Sequence, residues 1–298
     1  MKTKNQKNLC FLEKNNMIPK YIDIHAHVNF KAFEKDHNVV IRRALDSGTW
    51  FFNVGTQIDT SREAIRMAHR YEEGVYAIIG LHPIHTDKSF HDKQELGNEG
   101  EAFTSRGEIF DKKIYLELAG DSKVVAIGEC GLDYFHMEKN SVEKQKKAFI
   151  KQIELANEVK KPLMLHVRDA RPNGDSSGRA YADTLKILKK HAKVKGVVHF
   201  FVGNIEEAKS FLDLGFMLSF TGVITFTHDY DEVIKSIPLN MILVDTDSPY
   251  VSPVPHRGKR NEPSFVKEIV KKIAEIKDLP EIEVAKIIVA NVKNLFDI

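Results

Sequence analysis

Cysteine is almost missing from this sequence: Cys10 and Cys130 are the two in 298 residues. So few, so far apart, they build neither a disulfide framework nor a cysteine zinc site, and they fit a reducing, cytoplasmic setting. Long apolar runs are missing too; the longest reach about five residues, so no segment is expected to cross a bilayer. The leading stretch carries lysines and only residues 9–12 as an apolar run, too short for a signal-peptide core. Residues 1–19 therefore read as a loose extension, and 20–298 as one folded unit. An excess of either charge is lacking, since 44 Lys and Arg against 42 Asp and Glu leave +2. That excludes a global field pulling the chain towards nucleic acid or anionic membrane; any such attraction must be local. Seventeen glycines and 10 prolines are too few for a collagen-like or disordered chain, and no Gly/Ser- or Pro-rich linker cuts it in two. What the sequence has in quantity is histidine, 13 of them.

Short segments rich in β-branched and aromatic residues alternate with stretches of helical periodicity, the pattern of repeated strand–helix units. Eight read as strands: 21–25, 50–54, 75–81, 124–127, 162–166, 196–200, 216–220 and 241–244. Between 141 and 159, Val142, Phe149, Ile153 and Ala156 take one helical face, while Lys144, Lys147, Lys151 and Glu154 take the other. Eight buried parallel strands in a chain near the roughly 250 residues typical of the fold predict an α/β (β/α)8 barrel. An open doubly wound sheet competes, but no G-x-G-x-x-G follows the first strand. The polar stretch 86–122, with a weak helical segment at 114–118, is too long for a simple connection. Its part 87–113 reads as an insertion after strand three that passes over the barrel mouth, or as a surface excursion without a role.

In such a barrel the active site is assembled at the carboxyl ends of the strands. His25 and His27 stand at the first, His82 and His85 at the third, Glu129 at the fourth, His166 at the fifth, His199 at the sixth and Asp247 at the eighth. Six of the 13 histidines are thus gathered at strand ends. Side chains two apart on a strand point the same way, so His25 and His27 converge on one point, as a divalent metal requires. Neutral imidazoles with carboxylates suit zinc, manganese or a similar ion, whereas calcium prefers oxygen throughout. Six ligands exceed one four-coordinate ion, which predicts two ions bridged by Glu129. His25, His27, Asp247 and Glu129 would take the first, and His166, His199 and Glu129 the second. Asp247 is the candidate to orient a water and accept its proton. Asp245 should point inwards but deeper, and Cys130 should turn away and pack.

The motifs HAH, GLHPIH, GECGLDY, LHVRDA, HFFVG and TDSPYVSPVPHRGKRNEP, with the helix that opens around Gln145 to Phe149, together resemble the TatD-like family of metal-dependent deoxyribonucleases, among the amidohydrolase-type barrels. The similarity runs from Tyr21 to the end. It implies a (β/α)8 fold, two divalent ions per subunit (Zn, Mn or Mg) and phosphodiester hydrolysis on DNA, of 3′-5′ exonuclease type. The family's metal ligands fall on His25, His27, Glu129, His166, His199 and Asp247. The longer amino terminus, the stretch 86–122 and a polar insert at 171–179 depart from the pattern and bear on substrate preference.

A phosphate substrate needs donors beside the metals, and His82, His85, Arg168 and the basic run 256–260, with Arg257, are placed near the mouth. Arg168 faces either a phosphate or the carboxylates of Asp133 and Asp169. Tyr134, Phe135 and Tyr250 read as stacking surfaces for a base or as rim packing. Two ions do not by themselves choose phosphorus over carbon. Hydrolysis of an amide or ester in a small molecule is therefore the alternative to cleavage of single-stranded DNA or strand ends, and a metal-holding interaction module is the non-enzymatic one.

Overall fold

The computed structural model describes residues 18–91, 103–135, 141–170 and 179–298. Cys10, most of the 1–19 extension, the middle of the 87–113 insertion and nearly all of the 171–179 insert lie outside the described residues. In chain order the strands are β1 (Tyr21–Ala26), β2 (Thr49–Val54), β3 (Val75–Ile79), β4 (Ser89–His91), β5 (Phe103–Ser105), β6 (Val124–Asp133), β7 (Leu163–Arg168), β8 (Gly196–Val198), β9 (Met217–Phe220) and β10 (Ile242–Val244). Eight of them form a sheet in the order β1-β2-β3-β6-β7-β8-β9-β10, and β4 pairs antiparallel with β5. Neighbours in the large sheet run parallel with a helix between most of them. The circle closes where Asp247 N–H donates to the His25 carbonyl at 3.0 Å and His27 N–H to that of Ser248 at 2.7 Å. This is a (β/α)8 barrel.

Its strands are apolar on both faces because both are covered. Ile22, Ile24, Phe52, Ile78, Ala126, Met164, Val197 and Leu243 pack with Val292 and Phe296 of the helix Glu281–Phe296, which plugs one end. The opposite faces of the strands, with Phe51, Ile79, Leu165 and Phe220, pack against the surrounding helices. Each large side chain removed from water in this way contributes about 1.5–3 kcal/mol.

Two strands depart from regular alternation where function concentrates. On β1 the pairing with β2 slips between Asp23 and Ala26, and on β6 the pairing with β7 slips between Ile127 and Cys130. A bulge of one residue turns the following side chains to the opposite face. Ile24 and Ala126 already face the barrel interior, so an unbroken pleat would send His25 and Glu129 outwards. The bulges bring both in and leave Cys130 packed in the outer cluster, with its thiol 3.7 Å from the Met164 carbonyl. The Gly128–Glu129 peptide is cis. Glycine permits the close approach of β6 to β7: a Cβ on Gly128 would lie 2.5 Å from the Met164 carbonyl oxygen, and one on Gly131, at φ +140°, 2.0 Å from that of His166.

The fourth strand, expected over 124–127, continues through the bulge to Asp133, and the weak helical segment at 114–118 is the helix Lys112–Ala119. The described parts of the insertion, and the helix that follows it, are tied to the barrel. Arg106 pairs with Asp59 at 2.7 Å, Tyr115 donates its hydroxyl to the Gly80 carbonyl at 3.1 Å, and Lys144 binds Asp87.

Candidate metal centre

Glu129 stands in the middle of the barrel mouth, 3% exposed, with a different set of imidazoles on each oxygen. Oε2 lies 3.3 Å from His25 Nε2 and 3.8 Å from His27 Nε2. Oε1 lies 2.7 Å from His199 Nε2, 2.9 Å from His166 Nδ1 and 3.3 Å from His82 Nε2. Asp247 closes the first set, its Oδ1 3.5 Å from His27 Nε2 and 3.8 Å from His25 Nε2. The ring of His199 stacks on that of His25, centroids 3.8 Å apart. Three overlapping groups have ligand atoms all within 4.8 Å: His25, His27 and Glu129; His25, His199 and Asp247; His82, Glu129 and His166. All six residues read as metal ligands therefore converge here, along with His82.

Hydrogen bonds on the far side of each ring decide what it presents to the centre. Val54 offers only a carbonyl, so His27 Nδ1, 3.1 Å away, must carry the proton, and a neutral His27 turns the lone pair of Nε2 inwards. His82 is the reverse case. Its Nδ1 accepts from the Ile84 N–H at 3.2 Å, so the neutral ring presents Nε2–H to the centre. Burial lowers His82 to about 4 against the raising influence of Glu129, which keeps it neutral near pH 7. The neutral His82 is thus a hydrogen-bond donor towards the centre, its Nε2 facing Glu129 Oε1. The donor set of imidazole nitrogens and carboxylate oxygens fits divalent transition ions.

The electrostatics follow the same pattern. Burial alone would raise the Glu129 carboxyl, but His82, His199 and His25 outweigh it and hold it well below the ordinary carboxylate range. Burial also opposes the charge on His199, yet Glu129 and Asp245 raise it well above the usual imidazole value. His25 is lowered by its own burial and by His199.

His166 shows a contact absent from the sequence reading: its Nε2 lies 2.9 Å from Asp133 Oδ2 while Nδ1 faces Glu129. Burial pushes His166 down, and its bonds to Asp133 and Glu129 raise it. An outer carboxylate that fixes the tautomer of a liganding histidine raises its basicity. Asp133→Asn is expected to weaken metal affinity about 10- to 100-fold, the usual effect of removing such a partner. Titration with a metal indicator would measure it, and affinity within twofold of the parent would refute it. Asp245 sits likewise behind His199, with Oδ1 4.0 Å from Nδ1, and accepts from the Ser219 hydroxyl. Asp23, on the outer face of β1, accepts from Thr246 N–H at 2.9 Å and Thr246 hydroxyl at 2.6 Å, fastening β1 to the segment that carries Asp247.

The remaining expected contacts divide. His85 is buried, its ring 5.8 Å from that of His82. Arg168 follows His166 on the same face of β7 and lays its guanidinium over the Phe135 ring at 3.7 Å. The carboxylates considered for Arg168 are engaged elsewhere, Asp133 with His166 and Asp169 with Arg179 at 3.6 Å. Tyr134 is not part of the mouth surface. It is 2% exposed, packed in the outer core, and its hydroxyl donates to Asp183 at 2.7 Å. Tyr250 stands nearer the centre, its ring 6.4 Å from that of His27. Arg257 is exposed and stacks on Phe226, a residue no motif drew attention to.

A barrel with this centre has relatives. The family model described as TatD-related DNase matches residues 22–297. The chain belongs to that family. Among curated proteins it is 37% identical to the uncharacterized metal-dependent hydrolase YabD of Bacillus subtilis, over 93% of this chain and 98% of that one. It is 38% identical to the uncharacterized metal-dependent hydrolase YcfH of Escherichia coli, over 93% and 96%. Among solved structures, YJJV, a TatD homolog of Escherichia coli, superposes with a TM-score of 0.74 at 26% identity, covering 94% of this chain and 99% of that one. The TatD-family protein is thus a metal-dependent hydrolase whose clustered His, Glu and Asp side chains are able to hold metal ions. No helix among the described residues is long and apolar enough to cross a membrane.

Proposed function

We propose that this TatD-family barrel is a deoxyribonuclease that hydrolyses phosphodiesters in single-stranded DNA or at strand ends, in which His25, His27, Glu129, His166, His199 and Asp247 would hold two divalent ions, Glu129 serving both halves of the centre. The observation that carries the reading is the division of imidazoles between the two Glu129 oxygens, His25 and His27 on one and His166 and His199 on the other. The description of the matching family as a DNase supports the choice of substrate. Bound at this centre, such ions supply Lewis acidity, lowering the pKa of water and neutralising charge on the phosphate oxygens.

The chain's own residues do the rest. Asp247 is the most open carboxylate of the centre, with its side chain 14% exposed against 4% for Glu129. Burial raises Asp247, but its hydrogen bond with His27 and the neighbouring His25 hold it below the ordinary range, so it stays ionised at neutral pH. It is placed to take the proton of an attacking water, whereas Glu129 is enclosed by histidines and serves to hold. His82 donates from Nε2 to a phosphate oxygen, and Arg168 offers a fixed positive charge beside it. Near-neutral net charge fits this division, since holding the phosphate falls to the centre and a few local cations.

The test is cleavage of end-labelled single-stranded DNA by purified protein supplied with Mn2+, Mg2+ or Zn2+. A ladder shortening from the 3′ end, abolished by EDTA and restored by adding metal back, is expected. Absence of cleavage with any of the three ions would overturn the nuclease reading.

A further inference from the structure

The rim of the barrel carries an aromatic–cation stack to which the reaction above gives no role. Phe226 follows the short helix Gly222–Thr225 beyond β9 and is 44% exposed. Arg257, from the loop beyond β10, lies over its ring at 3.9 Å and donates from Nη1 to the Ser252 carbonyl at 2.8 Å. Val254, 45% exposed, joins the same loops through its N–H, which donates to Thr225 Oγ1 at 2.9 Å. An open apolar ring and a long side chain held flat both oppose folding, the one through exposed apolar surface, the other through lost rotamer freedom.

Arg260 also lies over a phenylalanine, at 4.3 Å, but that ring, Phe33, is fully buried, and Asp36 grips the guanidinium through both oxygens. The Arg260 stack is closed. Among the described residues, Arg257 has no carboxylate partner, and both members of its stack face solvent. The stack also lies close to the centre along the chain. Ser252, which anchors Arg257, is two residues from Tyr250, and the Tyr250 ring is 6.4 Å from that of His27, in the first imidazole set.

We propose that Phe226, Arg257 and Val254 form a shelf for one nucleobase of a single-stranded nucleic acid, next to the phosphodiester held at the centre; this rests on the nuclease reading above. A base offers what the shelf accepts: a flat π face for the ring and guanidinium, and phosphate oxygens nearby for the arginine N–H groups. Stacking uses the face that all bases share, so the shelf tolerates any sequence. In a duplex each base is covered on both faces by its neighbours. The shelf therefore selects strands whose bases are already free, and it makes an unpaired end a better substrate than a blunt one.

The test is binding of fluorescein-labelled hexanucleotides in Mn2+, measured by anisotropy in an Asp247→Asn background so that cleavage does not interfere. Abasic residues are placed at each position in turn. In the parental shelf, one abasic position is expected to weaken binding about 5- to 150-fold, the range for loss of one base–aromatic stack. Phe226→Ala is expected to weaken the intact strand by the same factor and to be indifferent to the abasic residue at that position. Arg257→Ala should reproduce part of the loss. Duplex should bind less well than single strand to the parent, with a smaller gap in Phe226→Ala. Intact-strand binding by Phe226→Ala within twofold of the parent, or an equal abasic penalty in both, would overturn the shelf. Cleavage by the Asp247 protein with binding that ignores the shelf would sink this proposal alone. Shelf-dependent binding without cleavage in any metal would sink the nuclease reading alone.

Discussion

Glu129→Ala is expected to lower kcat/KM on a phosphodiester by about 10³-fold or more, the loss that follows when several kcal/mol of transition-state charge stabilisation disappears. The size follows from position. Oε2 faces His25 and His27, and Oε1 faces His82, His166 and His199, so one side chain serves both halves of the centre. Removing it leaves five inward-facing imidazoles without the carboxylate between them, and like-charged rings this close repel one another once protonated. Metal content after dialysis, read by mass spectrometry, is expected to fall together with activity. Glu129→Gln separates shape from charge. It keeps the volume and one carbonyl oxygen but has no second anionic oxygen, so it should retain the fold and still fail to hold a bridged pair. A Glu129→Ala protein with parental metal content would show that the histidines alone hold the ions and that the carboxylate is not the bridge.

The barrel was legible because its strands are apolar and alternate with helical stretches, and the centre because strand ends in this fold converge whatever lies between them. His166 continues the alternation of β7 from Met164, and His199 and Asp247 stand just beyond β8 and β10 at even steps from Val197 and Leu243, so reading every second residue finds them. His25 and Glu129 do not. Each depends on a bulge, and strict alternation from Ile24 or Ala126 sends it to the wrong face. The signal was present in the glycines flanking Glu129 and Cys130, because an isolated glycine in a strand often marks a bulge. Asp133 is not legible as a partner of His166 because the apolar run that marks β6 stops at Ile127, six residues before it. Tyr134 stays open between stacking and packing in the sequence for a different reason: its partner Asp183 lies 49 residues away, and nothing local distinguishes a ring that turns into the core from one that lines a mouth. Phe226 belongs to no motif, and its meaning comes only from Arg257 arriving on another loop.

Asp247→Asn is expected to lower kcat about 10²- to 10⁴-fold, the usual contribution of a positioned base, while leaving the fold and most of the metal in place. Asp247 has φ +49°, in the left-handed region where most side chains are strained but asparagine is well tolerated. Its N–H bond to the His25 carbonyl, which helps close the barrel, does not involve the side chain and survives. The amide keeps an oxygen where Oδ1 stands near His25 and His27, so a ligand atom remains, although a weaker one. What is lost is basicity, because a neutral amide takes no proton from water. Metal content, KM and kcat together decide the role of Asp247. Near-parental metal with a collapsed kcat and little change in KM identifies the residue as the base. Loss of activity in strict proportion to loss of metal would instead make Asp247 only a ligand, and the proton acceptor would then have to be sought among the remaining groups of the mouth.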